Sequence, residues 1–286
     1  MGILYHPAAG LDKYPSHKDV HNLLFVWYNN DTAKGGSAMH ERFEARIRES
    51  ILEYAHENGL EDIWEKPVVR FADASDPGFE SLKRIVTAGH CLPEDHLAGA
   101  KSVISWFLPF KKALADGNLP GLNASPEWAK AYLDTNRMAT YVNEGLAACI
   151  RSLGYDAAPP KDAGMISKDE PKSRWSQRHV AYLAGHGTFG LNNMLISDAG
   201  STGRYFSLIT TMPLEPDPII EDERCLYKKD GSCGLCVRRC PADALTVQGF
   251  DRYKCLERCL ANDALYPGAD VCGKCAVSLP CSHKIP

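Results

Sequence analysis

The sequence predicts an α/β protein with α+β character, in which a large N-terminal domain is followed by a small cysteine-rich domain. The chain has 286 residues, enough for one large domain with a small satellite and a core without disulfide bonds. Helical apolar patterns alternate with short apolar runs through the first 215 residues. Nine of the eleven cysteines lie between positions 225 and 281, which sets the end of the chain apart.

Helices of the large domain are predicted from apolar spacing and from residues typical of helix ends. The predicted segments are 38–59, 78–87, 125–154 and 176–184. In the first segment Phe43, Ile47 and Ile51 recur at every fourth position, which indicates an amphipathic helix. Ser125 followed by Pro126 is a typical helix start. Within that third helix we expect Cys149 to pack inside as a small apolar residue.

Strands are predicted where β-branched and aromatic residues form short runs. These runs are PVVRFA (67–72), KSVISWFL (101–108) and FSLITTM (206–212). The acidic segment PLEPDPIIEDE (213–223) has little periodicity, so we place the domain boundary there. Residues 1–215 are assigned to the large domain and residues 216–286 to the small one.

Composition and charge are ordinary for a soluble globular protein and do not suggest a nucleic-acid or membrane surface. The formal net charge is -4, with 44% hydrophobic and 24% charged residues. The first residues lack a basic stretch followed by an apolar core, and the run LLFVWY (23–28) is too short to span a bilayer. We therefore expect a cytoplasmic protein with reduced thiols, for which metal ligation is a better interpretation than disulfide bonding.

The stretch SCGLCVRRCP (232–241) matches most of the ferredoxin pattern C-x2-C-x2-C-x3-C-P but lacks its first cysteine. The nearest upstream thiol that completes it is Cys225. The downstream cysteines form a second group: Cys255, Cys259, Cys272, Cys275 and Cys281. Each iron-sulfur cube needs four thiolates, so eight of these nine cysteines suffice for two clusters. The PADAL segment (241–245) after the Cys-Pro pair is expected to form a short helix.

Ligands are assigned by the rule that the cysteine before proline binds the other cluster in two-cluster ferredoxins. One predicted set is Cys225, Cys233, Cys236 and Cys281, and the other is Cys240, Cys255, Cys272 and Cys275. Cys259 is left out, but it lies four residues from Cys255 on one face of a predicted helix, so the choice between them stays open. Structural zinc is the alternative, for which the two C-x2-C pairs are suitable. Nine cysteines without a fitting histidine favour iron-sulfur clusters instead.

Several motifs together resemble the epoxyqueuosine reductase-like iron-sulfur proteins, which are relatives of the reductive dehalogenases. They are WSQRHVAYLAGHGTFGLNNMLIS (175–197), GSTGRYFSLITT (200–211), and the tail with CGKC and PCSHKIP. The tail is similar to that of short anaerobic members of the group. The resemblance implies a nitroreductase-like α/β domain that holds a cobalamin, followed by a ferredoxin-like domain with two 4Fe-4S clusters.

The resemblance also implies which residues border the corrinoid. These are Gly185, His186, Gly187, Thr188, Phe189 and Gly190 of the glycine loop, together with Arg178. His186 replaces an apolar residue of the relatives and is either a proton donor or metal ligand, or a hydrogen-bonded loop residue, which we favour. The family's Asp-Tyr-His signature is not recognisable in AYLDTNRMATYVN (131–143). Asp134, Asn136 and Tyr141 lie there, but no catalytic residue is assigned.

The sequence therefore predicts an oxidoreductase that passes low-potential electrons through two clusters to a corrinoid, with an unknown small-molecule substrate. A donor such as ferredoxin or flavodoxin is expected. The alternatives are an electron-transfer protein that reduces the corrinoid of a partner protein, and a corrinoid carrier without substrate chemistry. A nucleic-acid substrate is not expected, because the chain is not basic and lacks the C-terminal helical repeats of the tRNA-modifying relatives. The absence of a twin-arginine leader argues against an exported dehalogenase.

Overall fold

The computed structural model describes residues 36–161, 163–164 and 166–286. The apolar run at 23–28 lies outside these residues. Helices of the described chain are α1 (Gly36–Asn58), α2 (Pro77–Ile85), α3 (Pro93–His96), α4 (Lys112–Gly117), α5 (Pro126–Ser152), α6 (Gln177–Leu183), α7 (Leu226–Asp230), α8 (Leu235–Arg238) and α9 (Arg252–Leu265). Strands are β1 (Val68–Asp73), β2 (Ser102–Pro109), β3 (Ala157–Ala158), β4 (Thr188–Phe189), β5 (Leu195–Ile196) and β6 (Gly203–Thr210).

The main sheet has the strand order β1-β2-β6-β3, and every neighbouring pair is antiparallel. All eight residues of β2 are buried because helices cover both faces. Successive side chains of a strand point to opposite faces, so Ile104 and Trp106 pack with α1 and α5. Val103, on the other face, packs with α2 and α6. The fold is thus mixed α/β, as the alternating patterns predicted.

Predicted helices and their starts agree with the structure. The face formed by Phe43, Ile47 and Ile51 is buried against the sheet. Ser125 caps α5 by accepting a hydrogen bond from the Trp128 backbone NH over 3.2 Å. Cys149 is buried in α5, as expected.

One sequence prediction is wrong, and one structural element was not predicted. The PADAL segment does not form a helix: it makes turns, and Leu245 forms an isolated bridge with Phe250. Asp243 adopts φ +47°, a left-handed conformation that a right-handed helix does not accept. The glycine loop contains β4, which pairs with β5 as a small antiparallel hairpin that the sequence did not predict.

The acidic segment at 213–223 lies along β1 rather than apart from the fold. The Asp217 carboxylate accepts from the Phe71 backbone NH over 2.8 Å, and the Asp217 NH donates to the Phe71 carbonyl over 2.9 Å. Gly185, at φ +79°, faces the same segment, and a Cβ there would lie 2.3 Å from the Pro218 carbonyl oxygen. The placement of the domain boundary at 215/216 stays a prediction. No helix in the described part of the chain is long and apolar enough to cross a membrane.

Asn143 offers a test of how α5 is joined to the sheet. Its side-chain oxygen accepts from the Trp106 indole NH, and its amide donates to the Ser207 carbonyl, each over 3.2 Å in a buried site. Asn143→Ala leaves both partners buried and unsatisfied, so we expect a loss of about 2 to 4 kcal/mol in the free energy of unfolding. Denaturant unfolding of Glu144→Ala, an exposed change on the same helix, is the control. Equal stability of the two variants would contradict the role of the bridge.

Candidate functional site

Two small cavities in the C-terminal segment are lined by thiols. The first is bordered by Cys225, Cys233, Cys236 and Cys281. The second is bordered by Cys240, Cys255, Cys259, Cys272 and Cys275. The structure therefore divides the nine cysteines into the two sets that the rule for the cysteine before proline predicted, with Cys259 added to the second. The ligand assignment itself stays a prediction.

The local backbone explains how distant cysteines reach one cavity. Cys225 precedes α7, which ends at the left-handed Gly231, and Cys236 lies on the single turn of α8. In the second group, Gly273 adopts φ +77° between Cys272 and Cys275. A Cβ at Gly273 would lie 2.6 Å from the Trp128 indole ring, so only glycine lets this loop approach α5.

Burial and mutual proximity disfavour the charged form of these thiols. Burial raises the pKa of Cys236 to about 11, and the neighbouring thiols of Cys281 and Cys225 add to the rise. Burial likewise raises the pKa of Cys275 to about 12, with Cys272 contributing. Thiolates are the metal-binding form, so gathering four of them in such a cavity requires a positively charged centre to offset their repulsion.

The second cavity has a hydrogen-bond donor suited to the sulfur atoms of an iron-sulfur cluster. Arg258 lines this cavity, and its Nε is buried without a hydrogen-bond partner among the described residues. A buried N–H of this kind is a donor for cluster or cysteine sulfur. Among the described residues no three His, Cys, Asp or Glu side chains are arranged to bind a single metal ion. The thiols surround spaces instead of converging on a point.

Cys255 and Cys259 differ in their environment on α9. The two thiols are hydrogen-bonded to each other, and Cys259 is fully buried. This hydrogen bond lowers the pKa of Cys255 to about 7 and, together with burial, raises the pKa of Cys259 well above its usual value. Cys255 is thus the better thiolate, while Cys259 is suited to donate its S–H to it.

Backbone carbonyls of the cysteine loops are held by donors elsewhere in the chain. Asn118 donates its amide to the Cys272 carbonyl over 2.9 Å, and Asn192 donates to the Cys275 carbonyl over 2.6 Å. Between these cysteines, the buried Lys274 ammonium donates to the Asn118 carbonyl over 2.6 Å and to the Pro120 carbonyl over 2.7 Å. The second thiol cavity is therefore fastened to the segment that joins α4 and α5.

A larger cleft of about 470 Å³ lies beside the second thiol cavity. Its lining includes Lys172, Trp175, Ser176, Gln177, Arg178, His179, Phe189, Met194, Arg204, Tyr205, Phe250 and Arg252. Met194 also lines the second thiol cavity, so the two spaces adjoin. A volume of this size is typical of a small-molecule site.

Only part of the predicted corrinoid set lines this cleft. Arg178 and Phe189 do so. Of the remaining loop residues, Gly190 borders the first thiol cavity, whereas Gly185, His186, Gly187 and Thr188 line neither the cleft nor a thiol cavity. Their role as corrinoid neighbours stays a prediction.

His186 has the environment of a hydrogen-bonded loop residue. It is buried, and its Nε2 donates to the Ser105 carbonyl over 3.2 Å. Burial lowers the pKa of His186 to about 3, so the imidazole is neutral at physiological pH. The geometry supports the interpretation we favoured over a proton donor.

Arg178 lies between the cleft and the second group of thiols. Its guanidinium donates to the Asn193 carbonyl over 2.6 Å and to the Met194 sulfur over 3.4 Å. Burial lowers the pKa of Arg178, the charge of Arg252 adds to that effect, and Cys275 opposes it. The cation is therefore within electrostatic range of both spaces.

The three residues noted in the helical stretch 131–143 differ in their position relative to the cleft. Asp134 pairs with Lys130 over 2.6 Å and with Arg137 over 3.2 Å, and does not line the cleft. Tyr141 packs against the Tyr54 ring with centroids 5.4 Å apart. Asn136 lines an adjoining pocket of about 170 Å³, which shares Gln177, Arg204 and Tyr205 with the cleft.

Sequence reasoning missed several lining residues. Gln177 and Trp175 lie in the WSQRHV stretch that supported the resemblance, and Tyr205 follows in the next motif. Tyr205 is buried, with its hydroxyl donating to the Leu195 carbonyl over 3.2 Å. These three residues could have been predicted as site residues because they lie within the motifs that support the resemblance. Lys172 and Arg252 are 80 residues apart in sequence and carried no such signal.

Comparison with known proteins supports the resemblance. The chain is 27% identical over 237 residues to epoxyqueuosine reductase of Staphylococcus aureus (strain NCTC 8325 / PS 47), covering 74% of this chain. The chain spans 56% of that relative's length. No protein-family model matches the chain.

Two solved structures share the fold. One is a selenomethionine-labelled epoxyqueuosine reductase, with a TM-score of 0.50 and 19% identity over 83% of this chain and 66% of that one. The other is the catabolic reductive dehalogenase NpRdhA, with a TM-score of 0.52 and 17% identity over 76% of this chain and 30% of that one. The resemblance drawn from the sequence motifs is thus confirmed.

The geometry of α9 predicts different effects of removing its two cysteines. If Cys255 is a ligand of one of two four-iron clusters, Cys255→Ser is expected to lower the iron content after anaerobic reconstitution by about half. Cys259→Ser removes only the S–H donor and is expected to keep full iron content while changing the reduction potential of that cluster. Cys149→Ser, far from both thiol groups in sequence, is the control. Iron loss on Cys259→Ser with full iron on Cys255→Ser would reverse the assignment.

Proposed function

We propose that this chain, an epoxyqueuosine reductase-like protein related to the reductive dehalogenases, is an oxidoreductase with two 4Fe-4S clusters and a corrinoid. The division of the cysteines around two cavities, one of which shares Met194 with the large cleft, is the main support. When bound, the clusters supply one-electron transfer and the corrinoid supplies a reducible cobalt centre. The substrate is left open.

The proposed ligand sets follow from the two cavities. The first set is Cys225, Cys233, Cys236 and Cys281, and the second is Cys240, Cys255, Cys272 and Cys275. In this proposal the described residues up to and including 215 form a nitroreductase-like domain, and residues 216–286 form a ferredoxin-like domain. Arg258 would donate its free N–H towards the second cluster.

The second thiol cavity is the better candidate for the position next to the corrinoid. It adjoins the cleft through Met194, and Arg178 lies within electrostatic range of both. The first cavity shares no lining residue with the cleft. We accordingly expect a low-potential donor such as ferredoxin or flavodoxin to dock over the first cavity.

The cleft residues have the chemistry to hold a large ring with polar edges. Trp175, Tyr205 and Phe189 provide aromatic surface, while Gln177 and Arg178 provide hydrogen-bond donors. Met194 and the aromatic residues exclude water from the wall between the cleft and the second thiol cavity. His186 supports the loop that presents Phe189, and its imidazole is neutral at physiological pH with its N–H engaged by the Ser105 carbonyl.

Corrinoid binding to the cluster-loaded protein tests the proposal. Cobalamin added anaerobically is expected to bind in about one equivalent, the occupancy of one small-molecule cleft, with a changed cobalt spectrum. Val86→Trp narrows the cleft and is expected to weaken binding about tenfold, or ~1.4 kcal/mol, without changing iron content. Leu52→Trp, at an exposed site on α1, is the matched control. Full iron content without corrinoid affinity would contradict the proposal.

A further inference from the structure

The large cleft is strongly cationic although the whole chain has a formal net charge of -4. Its lining contains Lys172, Arg178, Arg204 and Arg252. No carboxylate belongs to the described lining residues of this cleft. Glu144, which is exposed, lines the adjoining pocket on the far side of Arg204. The charge of the cleft is thus concentrated and of one sign.

These cations are held by neutral groups rather than by acids. The Arg252 guanidinium donates to the Pro171 carbonyl over 3.3 Å and lies 5.7 Å from the Phe250 ring centroid. Arg204 lies 4.4 Å over the Tyr132 ring, whose hydroxyl already donates to Asp270. In the described part of the chain none of the four cations forms an ion pair with a carboxylate.

Arg178 and Arg252 are placed so that their charges repel. Burial lowers the pKa of Arg178 and the charge of Arg252 adds to that effect, while both cations add to the effect of burial in lowering the pKa of His179. A guanidinium has five N–H donors in a fixed fork, and the carbonyl contacts of these two side chains use only part of them. The remaining donors and the uncompensated charge favour an anion between them.

We infer that the cleft binds a small phosphate-bearing ligand, with the phosphate received by Arg178 and Arg252 and the rim charge supplied by Lys172 and Arg204. Phosphate fits better than carboxylate because its tetrahedrally arranged oxygens accept hydrogen bonds from several guanidinium groups at once. The inference deepens the proposed function by naming the ligand chemistry of the same cleft. The phosphate belongs either to the substrate or to the nucleotide tail of the corrinoid.

The phosphate site is tested first without any corrinoid. Inorganic pyrophosphate is titrated into cluster-loaded protein by calorimetry, and into the double variant K172Q/R252Q, which keeps Arg178 and the thiol ligands unchanged. We expect binding to the unaltered protein that weakens with salt, and about tenfold or greater weakening in the variant, as for lost charge-assisted hydrogen bonds. Arg48→Gln, which removes an exposed cation on α1, is the control and is expected to bind as the unaltered protein does.

Two corrinoids distinguish the sources of the phosphate. Cobalamin contains a phosphodiester in its nucleotide tail, whereas cobinamide has the same ring without that tail. If the corrinoid supplies the phosphate, cobalamin displaces pyrophosphate and cobinamide does not. Of the two corrinoids, K172Q/R252Q then binds only cobalamin more weakly. If the substrate supplies the phosphate, pyrophosphate and cobalamin bind to the protein at the same time. The variant then binds pyrophosphate more weakly and binds both corrinoids as before. Either result supports the phosphate site.

The inference is overturned if pyrophosphate does not bind the unaltered protein and the variant binds both corrinoids as before. Binding of an RNA stem-loop in the absence of pyrophosphate binding would equally contradict a small-ligand site. Failure of the proposed function gives a different result. A protein that binds pyrophosphate but neither corrinoid supports the phosphate site and contradicts only the proposed corrinoid binding. Iron content and the melting temperature of each variant show that its fold and clusters are intact.

Discussion

The arrangement depends on the way the cysteine loops are fastened to the α/β layers through their backbone carbonyls. The carbonyls of Cys272, Cys275 and Cys281 accept from Asn118, Asn192 and the Ser201 backbone NH, respectively. All three donors lie before residue 213, so the cysteine-rich tail is held in place by the sheet and its loops. Without these bonds the carbonyls would be buried unpaired, which costs free energy comparable to a lost hydrogen bond.

This attachment also determines where the cleft lies. Ser201 and Thr202, which bind the tail, directly precede β6, and the first residues of β6 line the cleft. On the opposite wall Met194 separates the cleft from the second thiol cavity. The buried Lys274 fixes the same loop to the end of α4 by two carbonyl contacts. A shift of the tail would therefore move the thiols and the cleft wall together.

Much of the fold was predictable because its local signals agree with its packing. The Ser125 cap and the spacing of Phe43, Ile47 and Ile51 specify helices that the core then uses. The two cysteine groups were also predictable, because the rule for the cysteine before proline exchanges Cys240 and Cys281 between the two local runs. Asp243 shows the opposite case, because its left-handed backbone lies in the turn that follows Cys240, in a segment for which the sequence predicted a helix.

The cleft was less predictable because its residues meet only in three dimensions. Lys172, Arg204 and Arg252 come from three separate segments, and no periodicity relates them. The glycine loop was conspicuous in the sequence, yet Gly185 is needed for close packing against Pro218 rather than for lining the cleft. Antiparallel strand order likewise depends on long-range pairing that no single segment encodes.

The central claim is that the docked tail encloses two four-iron sites. Iron, zinc and acid-labile sulfide per chain, measured on protein isolated without oxygen, test it most directly. Two 4Fe-4S clusters would give about eight irons and eight sulfides per chain with no stoichiometric zinc. About four irons, or zinc in place of iron, would contradict the claim.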